Sequence, residues 1–388
     1  RSTRCTLAMG AEGHASTEPS KVTDASTEPS KMTEVLLTSL FFAEVIGAFL
    51  VLPYYLPLGC PISPASVPPC LAVCCVLVFT FIKLVKLTSG AVASFISRNF
   101  LRGNPLRKHR ARAKCEDQCW QLWIHTTMTA MEVYVLYVDG GGEPWLRDHT
   151  SLWIPHPREQ VHDKASVHAL YVAQMAIWIV TAFSHQFFEK RHKDYAMMYI
   201  HHIVTIALIG LSYTWGYVRI GVPVLLLHDS SDIIIDLLKI CNYMKLEGLR
   251  HGFLVEICFF SNLIAWAYTR LYLFPYYVVY LGSMVGPRET LLGPTSPRVG
   301  AAKAITRGHA PGWKYPTSLG DGTFQLLPNI AALPTHEEIP GWWTFNTLLC
   351  ALILMHIIWY ILLLRIVYRL MTKSFHEAGA DEYEGDSD

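Results

Sequence analysis

Residues 225 to 236 read LLLHDSSDIIID, which sets His228, Asp229, Asp232 and Asp236 into a run that is otherwise leucine, isoleucine and serine. Upstream, His201 and His202 stand side by side in a second apolar run, YIHHIVTIALIG. On a helix turning ~100° per residue, His228, Asp229, Asp232, Asp236 and Lys239 fall within an arc of roughly 100°, with Ser230 and Ser231 directed away from it. At a rise of ~1.5 Å per residue, Asp232 lies about 10 Å and Asp229 about 15 Å inside Lys239, and His201 lies about 12 Å inside Lys193. The histidines and the aspartates therefore meet at one depth.

Ionisable groups placed that deep in apolar sequence are costly unless paired or hydrated, and they face the interior of a bundle. Three chemistries fit. The first is a structural ion-pair network, for example Asp236 with Lys239. The second is a metal site, which the spacing disfavours: adjacent histidines diverge by ~100° and no i, i+4 histidine pair is present, so no metal is expected. The third is acid/base or nucleophilic chemistry, in which a histidine oriented by a carboxylate accepts a proton or an acyl group. The matched depth favours the third.

The elements that must hold these residues follow from composition. Of 388 residues, 52% are hydrophobic and 16% charged, too apolar for a soluble domain of this length. Apolar stretches run at about 36 to 58, 67 to 88, 118 to 138, 167 to 188, 196 to 216, 219 to 240, 253 to 281 and 342 to 370. Each approaches the ~20 residues that cross a bilayer as helix. Prolines 53, 57, 61, 64, 68 and 69 crowd the approach to the second stretch, which suits either a span or a re-entrant segment. The expected fold class is all-α, a polytopic transmembrane helical bundle. A net charge of +1 offers nucleic acid no global attraction. The ten cysteines show neither disulfide nor zinc spacing.

Residues 1–35 read as a disordered leader containing the tandem repeat ASTEPSKVTD, ASTEPSKMTE. Residues 36–88 read as one or two N-terminal spans, 89–117 as a basic linker, 118–373 as the main helical domain and 374–388 as an acidic tail. Basic clusters at 98 to 114, at 189 to 193 (EKRHK), at Lys239, Lys245 and Arg250, and at Arg365, Arg369 and Lys373 fall on alternate turns of the chain. The positive-inside rule puts all of them, and the C-terminus, in the cytosol. The loop 282 to 341, rich in proline and glycine, then faces the opposite side. Arg270 and Arg219 read as interface anchors near that side, Trp342, Trp343, Tyr272, Tyr276 and Tyr277 as an aromatic belt, and Glu132 as a partner for an embedded base or, in the favoured reading, a group facing a wet cavity.

The run HHIVTIALIGLSYTWGYVRIGVPVLLLHDSSD, followed by DLLKICNYMK, resembles the Lag motif of the ceramide synthases, the acyltransferase branch of the TLC-domain family. It aligns His201, His202, Ser212, Tyr213, Arg219, Gly221, His228, Asp229, Asp232, Asp236 and Lys239 without insertion. The similarity extends from KCEDQCW at 114 to 120, through FSHQF and HKDY, to YTRLYLFPY and GWW at 341 to 343. Two departures are Trp215 and Gly216, where family members often carry Asn, and the length of the 282 to 341 loop.

The resemblance implies a TLC domain of six core helices preceded by one or two more, and transfer of a fatty acyl group from acyl-CoA to the amine of a sphingoid base. It implies residence in the endoplasmic reticulum membrane and no cofactor beyond acyl-CoA as co-substrate. The expected partners are acyl-CoA, the sphingoid base and membrane lipids, without nucleic acid, and with homo- or heterodimerisation left open. His201 would take the acyl group or activate the amine, Asp232 would orient it, and His202, His228, Asp229 and Asp236 would complete the proton network. Arg191, Lys193, Lys239, Lys245 and Arg250 would bind the CoA phosphates. The competing functions are a non-enzymatic TLC protein that binds lipid or assists translocation, and a proton-coupled transporter.

Overall fold

A backbone in hydrocarbon must satisfy its own N–H and C=O groups, and among the described residues every long element is a helix. The structure, a computed structural model, describes residues 31–50, 64–153, 164–188, 195–285 and 341–372. Among the described residues eight long helices follow in order. They are α1 (Lys31–Leu50), α2 (Val67–Phe100), α3 (His109–Tyr137), α4 (Ala165–Phe187), α5 (Tyr195–Thr214), α6 (Val218–Tyr243), α7 (Leu254–Trp266, continuing with wider π turns over Ala267–Val285) and α8 (Trp342–Thr372). The leader up to Ser30, most of the 282 to 341 loop and the acidic tail lie outside the described residues, while Lys31–Glu34, the last four residues of the repeat, begin α1 and are helix instead of leader.

Five elements are long and apolar enough to cross a membrane: α2, α4, α5, α7 with its π extension, and α8. The chain is a multi-pass membrane protein. α3 and α6 are of similar length, but their polar residues lower their hydropathy, and the two pack along each other. The crowded prolines do not make α2 re-entrant. Pro68 and Pro69 occupy its first turn, where the missing N–H costs no hydrogen bond and the fixed φ suits a helix start. α2 and α3 also extend into the basic stretch expected as linker, leaving 101 to 108 between them. Lys and Arg are good helix formers, so charge there reports on hydropathy and not on helix ends.

The hairpin of α5 and α6 positions the polar residues. Trp215 N–H donates to Leu211 O at 2.9 Å and Tyr217 N–H to Ser212 O at 2.8 Å, closing the helix around Gly216, whose φ is +80°. This is a left-handed helix stop that favours glycine. His201 lies 15 residues before Gly216 and Asp232 lies 16 after it, about 22 and 24 Å along two antiparallel helices. The tight turn thus sets the common depth of histidines and aspartates.

The core is built in blocks around this hairpin. One joins α1 to α5 with the first turns of α6, through Phe41, Leu71, Tyr171 and Val222. A second joins α5 and α6 to the π segment and α8 through Leu227, Phe274 and Leu352. A third closes the basic end, where Leu238, Val255 and Leu363 meet. Pro275 sits within the π segment, where wider turns help re-satisfy the carbonyl that a missing proline N–H leaves without a donor.

Gly216→Ala should destabilise the protein by about 1 kcal/mol, since a Cβ at positive φ is strained, seen as a lowered melting temperature in detergent. An unchanged melting temperature would mean that the turn does not hold the hairpin.

Candidate functional site

The α5–α6 hairpin, α4, the end of the π segment and α8 surround a cavity of about 930 Å³, a volume that includes space open to its surroundings. His201, His228, Asp229 and Asp232 stand on its wall toward the basic end. From there it runs about 15 Å along α8, the distance from Leu352 to Trp342. Its wall in between is mostly apolar, with Leu208, Ile209, Ile220, Val224 and Leu349. Aromatic rings close the far end. Trp153 Nε1 donates to Gly282 O at 2.6 Å, and Trp342 Nε1 to Ser283 O at 2.9 Å. Trp342 is 2% exposed, so it is a cavity wall and not part of an aromatic belt. Tyr272 and Tyr276 are exposed and stacked on each other.

Three polar clusters support the wall. In the first, the guanidinium of Arg270 is 2% exposed. It pairs with Asp232 Oδ1, donates from Nε to Ser231 Oγ at 2.8 Å and from Nη2 to His228 O at 3.1 Å, and lies 4.4 Å from the Trp266 ring centroid. This corrects two expectations: Arg270 is not an interface anchor, and Ser231 is buried inside the network. Residue counting measures distance along one helix axis and cannot place the start of α7 relative to α6. Asp232 is thereby held by an arginine and not by a histidine.

In the second cluster, His125 of α3 bonds through Nδ1 to Asp236 Oδ2 at 2.7 Å. Asp236 therefore has a histidine partner rather than Lys239. In the third, Gln174 of α4 donates through Nε2 to Asp229 Oδ2 at 2.7 Å and to Glu132 Oε1 at 3.0 Å, while its Oε1 accepts from Trp178 Nε1 at 3.1 Å. Glu132 is fully buried and off the cavity wall, not facing a wet cavity. One nitrogen of His125 and one oxygen each of Asp229 and Asp232 lie within 4.8 Å of one another, close enough to seat a cation between them.

The histidines differ in environment. His228 Nδ1 bonds to Val224 O at 2.6 Å. A carbonyl only accepts, so Nδ1 carries the proton, and the neutral ring keeps its lone pair on Nε2, which is buried without a partner. The His201 ring is gripped edge-on by Trp178 and Trp359, with centroids 5.3 and 5.4 Å away, and its Nδ1 has no partner. His202 points behind Trp178 toward His185, 5.4 Å away between ring centroids, and does not line the cavity. The divergence of adjacent helical residues separates the pair.

The Ser-Tyr and glycine positions of the motif are packing devices. Tyr171 Oη bonds to Ser212 Oγ at 2.8 Å, and His168 Nδ1 to Tyr213 Oη at 2.7 Å, tying α4 to α5. A Cβ at Gly221 would collide with Tyr171 Oη and Ser212 Oγ, so glycine allows α6 to approach both. Lys239 is half-buried, and Lys245 and Arg250 are exposed beyond the end of α6. Arg191 and Lys193 lie outside the described residues. Sequence reasoning missed His125, Gln174 and His356, each from another helix. His356 is fully buried with its ring 4.9 Å from that of His228, and the one available signal was a polar residue inside an apolar stretch.

Residues 114–365 match the model of the TLC domain. Among similar proteins, ceramide synthase LOH2 of Arabidopsis thaliana is 27% identical over 69% of this chain and 73% of its own length. Ceramide synthase hyl-2 of Caenorhabditis elegans is 33% identical over 48% and 55%, and human ceramide synthase 5 is 26% identical over 67% and 51%.

Removing one partner of a buried ion pair strands the other charge, so Asp232→Asn or Arg270→Met alone should each destabilise the protein by about 3–5 kcal/mol. Asp232→Asn combined with Arg270→Met should recover much of that loss, because neither charge remains. Thermal melts of the four proteins test this. Additive losses would mean the two side chains do not act as a pair.

Proposed function

We propose, from the premise that the chain belongs to the TLC-domain family, that it is a ceramide synthase: an enzyme that transfers a fatty acyl group from acyl-CoA to the amine of a sphingoid base. One observation carries the reading. A long apolar cavity, closed by tryptophans at one end, terminates at the other in two imidazoles and two carboxylates. An aliphatic chain fits the first part, and acyl transfer needs the second. A protein that only bound lipid would need the cavity but not the cluster.

In this reading the acyl chain lies along the cavity, each buried methylene contributing about 0.8 kcal/mol, with its thioester at the level of His201. A ring nitrogen of His201 attacks the thioester carbon, the C–S bond breaks, and CoA leaves as thiolate. The amine nitrogen then attacks the acyl-imidazole carbon and the bond to His201 breaks. The proton lost by the amine passes to the free Nε2 of His228 and from there to the thiolate, giving amide and CoA thiol. The surrounding apolar wall keeps water from competing with the amine. Asp232, fixed by Arg270, holds negative charge beside both rings.

CoA carries phosphate charges that cannot enter hydrocarbon, so it docks at the basic end. The positive-inside rule favours the cytosolic side for that end and for the C-terminus, and the likeness to ceramide synthases supports the endoplasmic reticulum as the membrane. Lys239, Lys245 and Arg250, with Arg191 and Lys193 outside the described residues, supply the cations.

Purified protein given sphinganine and a panel of acyl-CoAs should yield N-acyl product by mass spectrometry, and His201→Ala should abolish it with folding intact. Retention of wild-type turnover by His201→Ala would remove that residue from the chemistry. Leu208 lines the cavity wall seven residues beyond His201, about 10 Å further from the basic end. Leu208→Trp should therefore shift the products toward shorter acyl chains; an unchanged product distribution would mean that the chain lies elsewhere.

A further inference from the structure

The proposed reaction takes place at the basic end of the cavity and assigns nothing to its other end, where three rings from separate parts of the chain meet. Trp153 comes from the segment between α3 and α4, Tyr217 from the turn before α6, and Phe345 from the first turn of α8; all three line the cavity. The Trp153 indole stands edge-on to Tyr217 with 5.8 Å between centroids, and Tyr217 stands edge-on to Phe345 at 4.8 Å. Trp153 is buried, and the bond from its Nε1 to Gly282 O fixes which way the ring points.

Trp153 differs from the other two rings in how it is carried. Tyr217 and Phe345 belong to the starts of packed helices, whereas Trp153 reaches in from a loop that other groups fasten to the bundle. Arg219 Nη1 donates to Ser151 O at 3.1 Å, and Tyr277 Oη donates to Trp145 O at 2.9 Å. Shortening the indole therefore opens the end of the cavity while these ties still hold the loop.

The distance from the reacting end to this floor limits how much chain fits. Tyr217 N–H donates to Ser212 O at 2.8 Å, so Ser212 marks the level of the floor. His201 and Ser212 both line the cavity and lie 11 residues apart on α5, about 16 Å. An extended peptide residue covers at most ~3.6 Å over three bonds, so a saturated chain advances ~1.2 Å per bond. An acyl group with its carbonyl carbon beside His201 then meets the floor after about 14 carbons.

We propose that the Trp153 indole is the stop against which the acyl chain is measured, and that the protein selects acyl-CoAs of about 14 carbons over much longer ones. Trp153 lies outside the Lag motif and is a specificity-determining residue. The inference deepens the acyltransferase reading and takes from it only that the acyl group enters from the basic end.

The test uses the full-length protein in detergent and S-alkyl-CoA thioethers of graded length, which bind without being able to transfer an acyl group. Wild-type affinity, read by thermal shift, should rise about fourfold per methylene up to about 14 carbons and then stop rising. In Trp153→Ala that break should move to chains longer by about two to four carbons, and the amide products from a mixture of acyl-CoAs should lengthen with it. Trp153→Leu, which keeps more of the packing, should move both in the same direction by less. A wild-type affinity that still climbs past about 20 carbons, or one break shared by the wild type and both variants, would overturn the proposal. If neither variant folds, a thioether of about 14 carbons with a diazirine at its tail end decides on the wild type. Photolysis should label Trp153 or Tyr217, and labelling confined to exposed residues such as Leu354 would overturn the stop. A length break in thioether binding with no amide formed from any acyl-CoA would sink the acyltransferase reading and leave the stop standing.

Discussion

Charge in a hydrocarbon environment must be answered by charge or by a dense set of hydrogen bonds, and the arrangement of this bundle follows from that constraint. α6 carries more ionisable side chains than its own length can satisfy, so its neighbours supply the partners. Arg270 comes from the π segment, His125 from α3 and Gln174 from α4. Each contact fixes one helix against α6 at a defined height. The polar cluster thereby sets the register of helices whose apolar faces would otherwise slide, since lipid and leucine are nearly equivalent neighbours.

The same contacts fix the groups that the proposed reaction would use. Arg270 is committed to Asp232, Ser231 and the His228 carbonyl, which keeps its charge off the cavity wall. His228 is locked by the Val224 carbonyl with its free nitrogen unengaged, and His201 is held edge-on between two indoles. Neither ring has to reorganise to meet a substrate, which is the condition for efficient electrostatic and nucleophilic assistance. At the other end of the cavity, Trp153 uses its N–H to tie the segment before α4, and Trp342 the start of α8, to the end of the π segment. One set of aromatic residues therefore both closes the passage and satisfies backbone carbonyls exposed at helix ends.

The sequence alone determined the elements and the candidate residues that stand at one depth in them. Apolar runs of membrane-crossing length can only be helices, and intramembrane His and Asp at matched depth on an antiparallel pair can hardly be accidental. The α5–α6 hairpin was legible because Gly216 and two uninterrupted helices tie depth to residue count. Tertiary structure decided the pairings. Periodicity states which face of a helix a residue occupies, but not which neighbour that face meets or at what height. Arg270 therefore looked like an anchor and Ser231 like a bystander, Asp236 had no visible link to His125, and Glu132 had none to Asp229. His202, one residue from His201, turns to the far side of Trp178 because ~100° of helical rotation separates them; which of the two directions holds the cavity depends on where α4 and α8 pack, and that is a property of the assembled bundle.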